Sequence, residues 1–97
     1  MNTKFSSSHK NHEPESSILY IVGTPIGNLS DISSRALNIL RNVSLIACED
    51  TRQTKKLMNK FEIKNKLTSF NKHNGFEKIP GIINDLKTGK SLALVSD

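Results

Sequence analysis

Leu45-Ile46-Ala47-Cys48-Glu49-Asp50-Thr51-Arg52 is the stretch on which the fold turns. Four apolar residues run together with no polar residue alternating among them, the pattern of a strand covered on both faces. A carboxylate pair and a threonine follow at once, and Asp50 or Thr51 can cap a helix that starts near Arg52. Leu57, Met58 and Phe61 then give a short apolar stripe at helical spacing. The segment reads as strand, polar loop, helix.

The same unit recurs on both sides. Upstream, Ile18-Leu19-Tyr20-Ile21-Val22 is an apolar run closed by Gly23. Ala36, Leu37, Leu40 and Val43 follow at helical spacing, with Asp31 or Ser33 as N-cap. Downstream, Leu67 to Phe70 is a weaker strand, and Ile79, Ile82, Ile83 and Leu86 mark a third helix that closes at Gly89. Pro80 is expected in the first turn of that helix, since deeper in it would break the turn. Ser91 to Val95 is a fourth strand. Strands alternating with helices predict an α/β fold, a parallel sheet with flanking helices.

Length and composition set the frame. The 97 residues suffice for one domain. Residues 1–17 are almost without apolar content and are expected to form a disordered tail, with the domain spanning 18–97. The start of the chain lacks the apolar core of a secretory signal, and no run approaches the roughly 18 apolar residues of a membrane span. A single cysteine, Cys48, allows no internal disulfide and reads as a small core residue. These features together predict a cytoplasmic protein. His9 and His12 stand without further ligands, so no metal site is expected.

The charge is uneven. Between residues 52 and 72 lie Arg52, Lys55, Lys56, Lys60, Lys64, Lys66 and Lys72 against Glu62 alone, more than the whole chain's net charge of +5. Such a segment fits a polyanionic partner. It equally fits a solvated helix face in a lysine-rich chain.

In an open parallel sheet, ligands bind beyond the carboxyl ends of the strands. Four loops fall there: Gly23-Thr24-Pro25-Ile26-Gly27-Asn28, Glu49-Asp50-Thr51-Arg52, Asn71-Lys72-His73-Asn74 and Ser96-Asp97. Each is polar or carries glycine, whereas the opposite strand ends, near Ser44, Lys66 and Lys90, hold no comparable cluster. Gly23 and Gly27 do not have the spacing of a dinucleotide fingerprint. Gly89-Lys90-Ser91 precedes a strand instead of following one, so it is no phosphate loop. Repulsion within Glu49–Asp50, with burial, would raise the pKa of at least one and suit it to accept a proton. Arg52, in the first turn of a helix where the dipole disfavours a cation, hints at an anionic partner.

Taken together these loops resemble one family. Thr24-Pro25-Ile26-Gly27-Asn28-Leu29, Asp31-Ile32 and Arg35-Ala36-Leu37 are similar to the opening of the ribosomal RNA small subunit methyltransferase I family. Ile46 to Arg52 resembles its second signature and His73-Asn74 a shorter third. Ala93 to Asp97 resembles the start of its glycine-rich cofactor loop. The resemblance implies the first four strands of a tetrapyrrole-methylase N-terminal domain, a class III methyltransferase that uses S-adenosyl-L-methionine (SAM). It implies sheet order 3-2-4-1-5 and, as substrate, the ribose 2′-oxygen of a cytidine in the decoding region of 16S ribosomal RNA or the 30S subunit. By position it assigns Pro25, Ile26 and Asp97 to SAM and Arg52, Lys72 and Asn74 to RNA. Asp50, Glu49 and His73, in that order, are the general-base candidates.

Relative to that family the sequence ends before the fifth strand and the second domain. The edge of the first strand, Leu19 to Val22, is therefore expected to be exposed. The segment alone is expected to bind SAM more weakly than micromolar and to have little activity. The resemblance suggests a homodimer for the full-length family. Two other readings stand beside it: methylation of a tetrapyrrole precursor, and a non-enzymatic RNA-binding remnant.

Overall fold

The computed structural model describes residues 12–25 and 27–96. Four strands form one sheet: β1 (Leu19–Gly23), β2 (Leu45–Cys48), β3 (Leu67–Ser69) and β4 (Leu92–Ser96). Three helices connect them: α1 (Ser34–Asn42), α2 (Thr51–Lys60) and α3 (Gly75–Lys87). A single 3-10 turn, Leu29–Asp31, precedes α1. The sheet order is β1-β4-β2-β3, and all three pairings are parallel. The parallel α/β architecture expected from the alternation is the one observed.

The period of two along each strand sorts the apolar residues onto two faces. Tyr20, Val22, Ile46, Cys48, Ala93 and Val95 face α1 and α2, where Ile39, Leu40, Leu57 and Met58 complete the main core. Leu40 and Ile46 have no exposed surface at all. On the opposite face Leu19, Ala47, Leu92 and Leu94 meet Ile79, Ile82, Ile83 and Leu86 of α3 across an apolar gap of about 250 Å³. That face is thinly covered: Ile79 and Ile83 keep 40% and 45% exposure, and Ile21 keeps 64%. Along the β1 edge Leu19 and Ile21 are exposed, while Val22 points into the core and is buried.

Local chemistry explains the element ends. Ser33, not Asp31, caps α1: its Oγ accepts from the Ala36 N–H at 3.0 Å. Asp31 closes the 3-10 turn, which Asn28 caps through Ser30. The turn after α3 is a Schellman motif. Gly89, at φ +95°, donates to the Leu86 carbonyl, and Lys90 donates to that of Asp85. At the foot of α1, Asn65 Nδ2 donates to the Leu40 and Val43 carbonyls at 2.9 and 2.8 Å, satisfying the helix end that no glycine closes.

Three expectations change. Pro80 lies in the second turn of α3, because the helix begins at Gly75. Its missing N–H deprives the Phe76 carbonyl of a partner, but both residues are exposed, within reach of water. β3 ends at Ser69, one residue before Phe70, although the Phe70 N–H still donates to the Cys48 carbonyl at 2.7 Å. The supposed tail joins the body well before residue 18. Glu13 forms a two-point ion pair with Arg35, both contacts at 2.7 Å, its carbonyl accepts from Asn38 Nδ2, and the Glu15 N–H donates to the Tyr20 hydroxyl. His12 is exposed, and His9 lies outside the described residues. Among the described residues no helix is long and apolar enough to cross a membrane.

Candidate active site

Register brings the four strand ends to one rim. Gly23 pairs with Ser96, and Cys48 pairs with both Val95 and Ser69. The loop after β1 is tied to the end of β4: the Thr24 N–H donates to the Ser96 carbonyl at 2.9 Å and its hydroxyl donates at 3.3 Å. Pro25 follows, half-buried, and Gly27 adopts φ +89°, a conformation that a side chain would strain. An ideal Cβ on Gly23 or Gly27 would meet nothing within 4 Å, so both glycines face open space. Ile26 and Asp97, expected to touch SAM, lie outside the described residues.

A cleft of about 290 Å³ opens on this rim, lined by Glu49, Asp50 and Thr54 on one side and Phe70, Leu94 and Ser96 on the other. Its size sits at the lower edge of the roughly 300–1,000 Å³ of small-molecule sites. Floor and rim differ in character. Leu94, Val95 and the buried Cys48 give an apolar floor, while carboxylates and hydroxyls give a polar edge.

Within the carboxylate pair the two members part. Asp50 is the N-cap of α2: its Oδ1 accepts from the Arg52 N–H at 3.0 Å, and the Arg52 guanidinium adds contacts at 3.3 and 3.4 Å. Hydrogen bonds from the Arg52 side chain and then its backbone hold the Asp50 carboxyl below its ordinary value. The expected rise is therefore not seen for Asp50, because its neighbour is a cation and not only Glu49. The same contact accounts for Arg52 in the first turn of a helix: Asp50 offsets the unfavourable dipole without an outside anion. Glu49 is exposed and lines both this cleft and the groove beside it.

The loop after β3 is an internally bonded knot. Asn71 Oδ1 accepts from the N–H groups of His73 and Asn74, at 2.8 and 3.2 Å. Asn74 Oδ1 accepts from the Asn71 N–H at 2.9 Å, and its Nδ2 donates to the Ser69 hydroxyl at 2.9 Å. The Asn74 amide is thus engaged in shaping the loop, while Lys72 and His73 project exposed. Lys78, from the second turn of α3, reaches back to donate to the Thr68 hydroxyl and the Ser69 carbonyl. Phe70, Thr54 and Lys78 were not singled out from sequence. An aromatic at a strand's carboxyl end was a readable signal for Phe70. The role of Lys78 depends on how α3 crosses β3 and has no local sign.

Comparison with known proteins bears on this rim. The family model for tetrapyrrole (corrin/porphyrin) methylases matches residues 18–96, from just before β1 to the end of β4. The chain belongs to this family. Over 79 residues it is 57% identical to the ribosomal RNA small subunit methyltransferase I of Thermotoga maritima, a match covering 81% of this chain and 36% of the relative. It is 51% identical over 87 residues to that of Bacillus subtilis, covering 90% of this chain and 30% of the relative. The chain thus spans about a third of the length of these curated relatives. In this methylase family member the strand-end rim carries the glycine loop, the carboxylate pair and the cleft of mixed lining.

Proposed function

We propose that this domain forms one wall of the active-site cleft of a SAM-dependent methyltransferase that modifies the ribose 2′-oxygen of a cytidine in the decoding region of 16S ribosomal RNA. The observation that carries the reading is the convergence of the four strand ends on one rim, where a cleft lined from the ends of β2 and β4, from α2 and by Phe70 contains Glu49. The names of the relatives quoted above support RNA over a tetrapyrrole as substrate. Pro25 and the open glycine loop would hold SAM together with Ser96 and the floor residues Leu94 and Val95, and Ile26 and Asp97 adjoin them in sequence. Bound there, SAM supplies an activated methyl group.

The chain's own residues orient the acceptor and take its proton. Alignment of the reacting oxygen contributes roughly 7–11 kcal/mol of barrier lowering in well-oriented systems. Glu49 receives the proton of the 2′-hydroxyl. It replaces Asp50 as the first candidate because Asp50 is engaged by Arg52 as the cap of α2, and those hydrogen bonds lower its pKa and make it the weaker proton acceptor. His73 stands next, exposed on the neighbouring loop. A ribose hydroxyl as target also separates RNA from DNA.

Lys55, Lys56 and Lys60 lie exposed on α2, opposite the buried Thr54, Leu57 and Met58, and would face phosphates. Replacing all three by Gln should flatten the salt dependence of binding to single-stranded RNA. The slope of log K against log[salt] falls by about 0.7 for each phosphate no longer neutralised, so by about 2 if all three lysines contribute. A titration series from low to moderate salt measures it. An unchanged slope assigns this helix face to solvent.

A further inference from the structure

A second depression adjoins the cleft and shares Glu49 and Phe70 with it. It measures about 370 Å³ and is walled by Phe70, Phe76 and Ile79, with Asn71, Lys72 and Glu49 at its polar end. Phe76 stands in the first turn of α3 with 88% of its surface exposed. A single exposed apolar side chain is ordinary, but this one forms an aromatic wall of the groove opposite Phe70. Phe70, on the other wall, is held in place from behind. A Cβ on the buried Gly75 would come within 3.2–3.6 Å of its ring, so the glycine makes room for the ring to lie there. The Asn71–Asn74 knot and the Lys78 contacts fix the loop that forms the polar end.

We infer that this groove binds an unpaired nucleobase of the RNA, next to the nucleotide whose ribose enters the cleft. The inference rests on the RNA reading above and deepens it. Three features select this occupant. Aromatic walls offer π-faces for stacking, the sequence-tolerant way proteins hold single-stranded bases. Lys72 at the polar end closes the basic segment 52–72 and can meet the phosphate that joins the two nucleotides. Glu49 and Phe70 belong to both depressions, so one strand can pass from groove to cleft without leaving the surface. A base still paired in a duplex cannot enter such a groove, so the RNA must be single-stranded or splayed there.

The test is a titration of this chain into a short single-stranded RNA carrying 2-aminopurine, followed by fluorescence, with Phe76→Ala and Phe76→Trp variants. Circular dichroism checks that each variant is folded, as an 88% exposed side chain leads one to expect. The wild-type chain should quench the fluorescent base. Phe76→Ala should bind roughly 5- to 150-fold more weakly, the loss typical of one stacked base, and Phe76→Trp should restore binding. Salt-dependent RNA binding that Phe76→Ala leaves unchanged overturns this inference and spares the RNA reading. Equal quenching of a fully paired duplex overturns it as well. Absence of RNA binding at low salt removes the parent reading, and the groove's role with it.

Discussion

Methyl transfer falls roughly 10²–10⁴-fold when Glu49 is replaced by Gln, the loss expected for removal of a general base. The assay uses a chimaera in which residues 18–96 of this chain replace the matching segment of the Thermotoga maritima relative, with small-subunit ribosomal RNA as acceptor. Gln keeps the size and the hydrogen-bonding capacity of Glu49 but cannot take a proton, so binding of SAM should change little while turnover collapses. Asp50→Asn is the counterpart. Asn caps a helix nearly as well as Asp, so this variant should retain most of its activity. The contrast follows from geometry: Asp50 accepts from the Arg52 backbone and side chain, whereas Glu49 lines both depressions. Activity that survives Glu49→Gln and is lost in Asp50→Asn would reverse the assignment.

Leu40→Ala should destabilise the fold by about 2–5 kcal/mol, the usual cost of emptying a buried leucine site. Leu40 has no exposed surface and sits where α1 crosses the sheet, among Val22, Ile46 and Val95 and their neighbours. In a domain of this size each kcal/mol moves the midpoint by about 4–8 °C, so thermal unfolding followed by circular dichroism should show a fall of at least about 8 °C. Ile83→Ala, on the thinly covered face, should cost less than half as much, since Ile83 is 45% exposed already. Equal losses at the two sites would mean that α3 is packed as tightly as α1 and α2, contrary to the apolar gap beneath it.

Much of this architecture is legible in the residues because the decisive signals are local. Leu45–Cys48 is continuously apolar, and a strand covered on both faces must be so; it emerges with the expected bounds. Gly89 marks the end of α3 because the turn there needs a positive φ. The start of α3 was less legible. Asn74 precedes Gly75 without any side-chain capping bond, so the first turn carries no cap signature, and Pro80 drew the expected start toward itself. The site is legible in outline, since strand ends declare a rim wherever a parallel sheet can be read. Individual roles were harder to read. Whether Asp50 is a base or a cap depends on where the Arg52 side chain turns, and whether Asn74 meets RNA depends on its bond to Ser69. Both are decided by side-chain direction, which residue type and spacing do not specify.

The most direct measurement is an amide chemical-shift titration of the isotope-labelled chain with SAM up to millimolar concentration. Shifts confined to Gly23, Thr24, Gly27, Cys48–Asp50, Phe70 and Val95–Ser96, with Ser44, Lys66 and Lys90 at the opposite strand ends unmoved, are the predicted result. Shifts concentrated at that opposite edge, or none at all, would contradict the placement of the donor cleft on this rim.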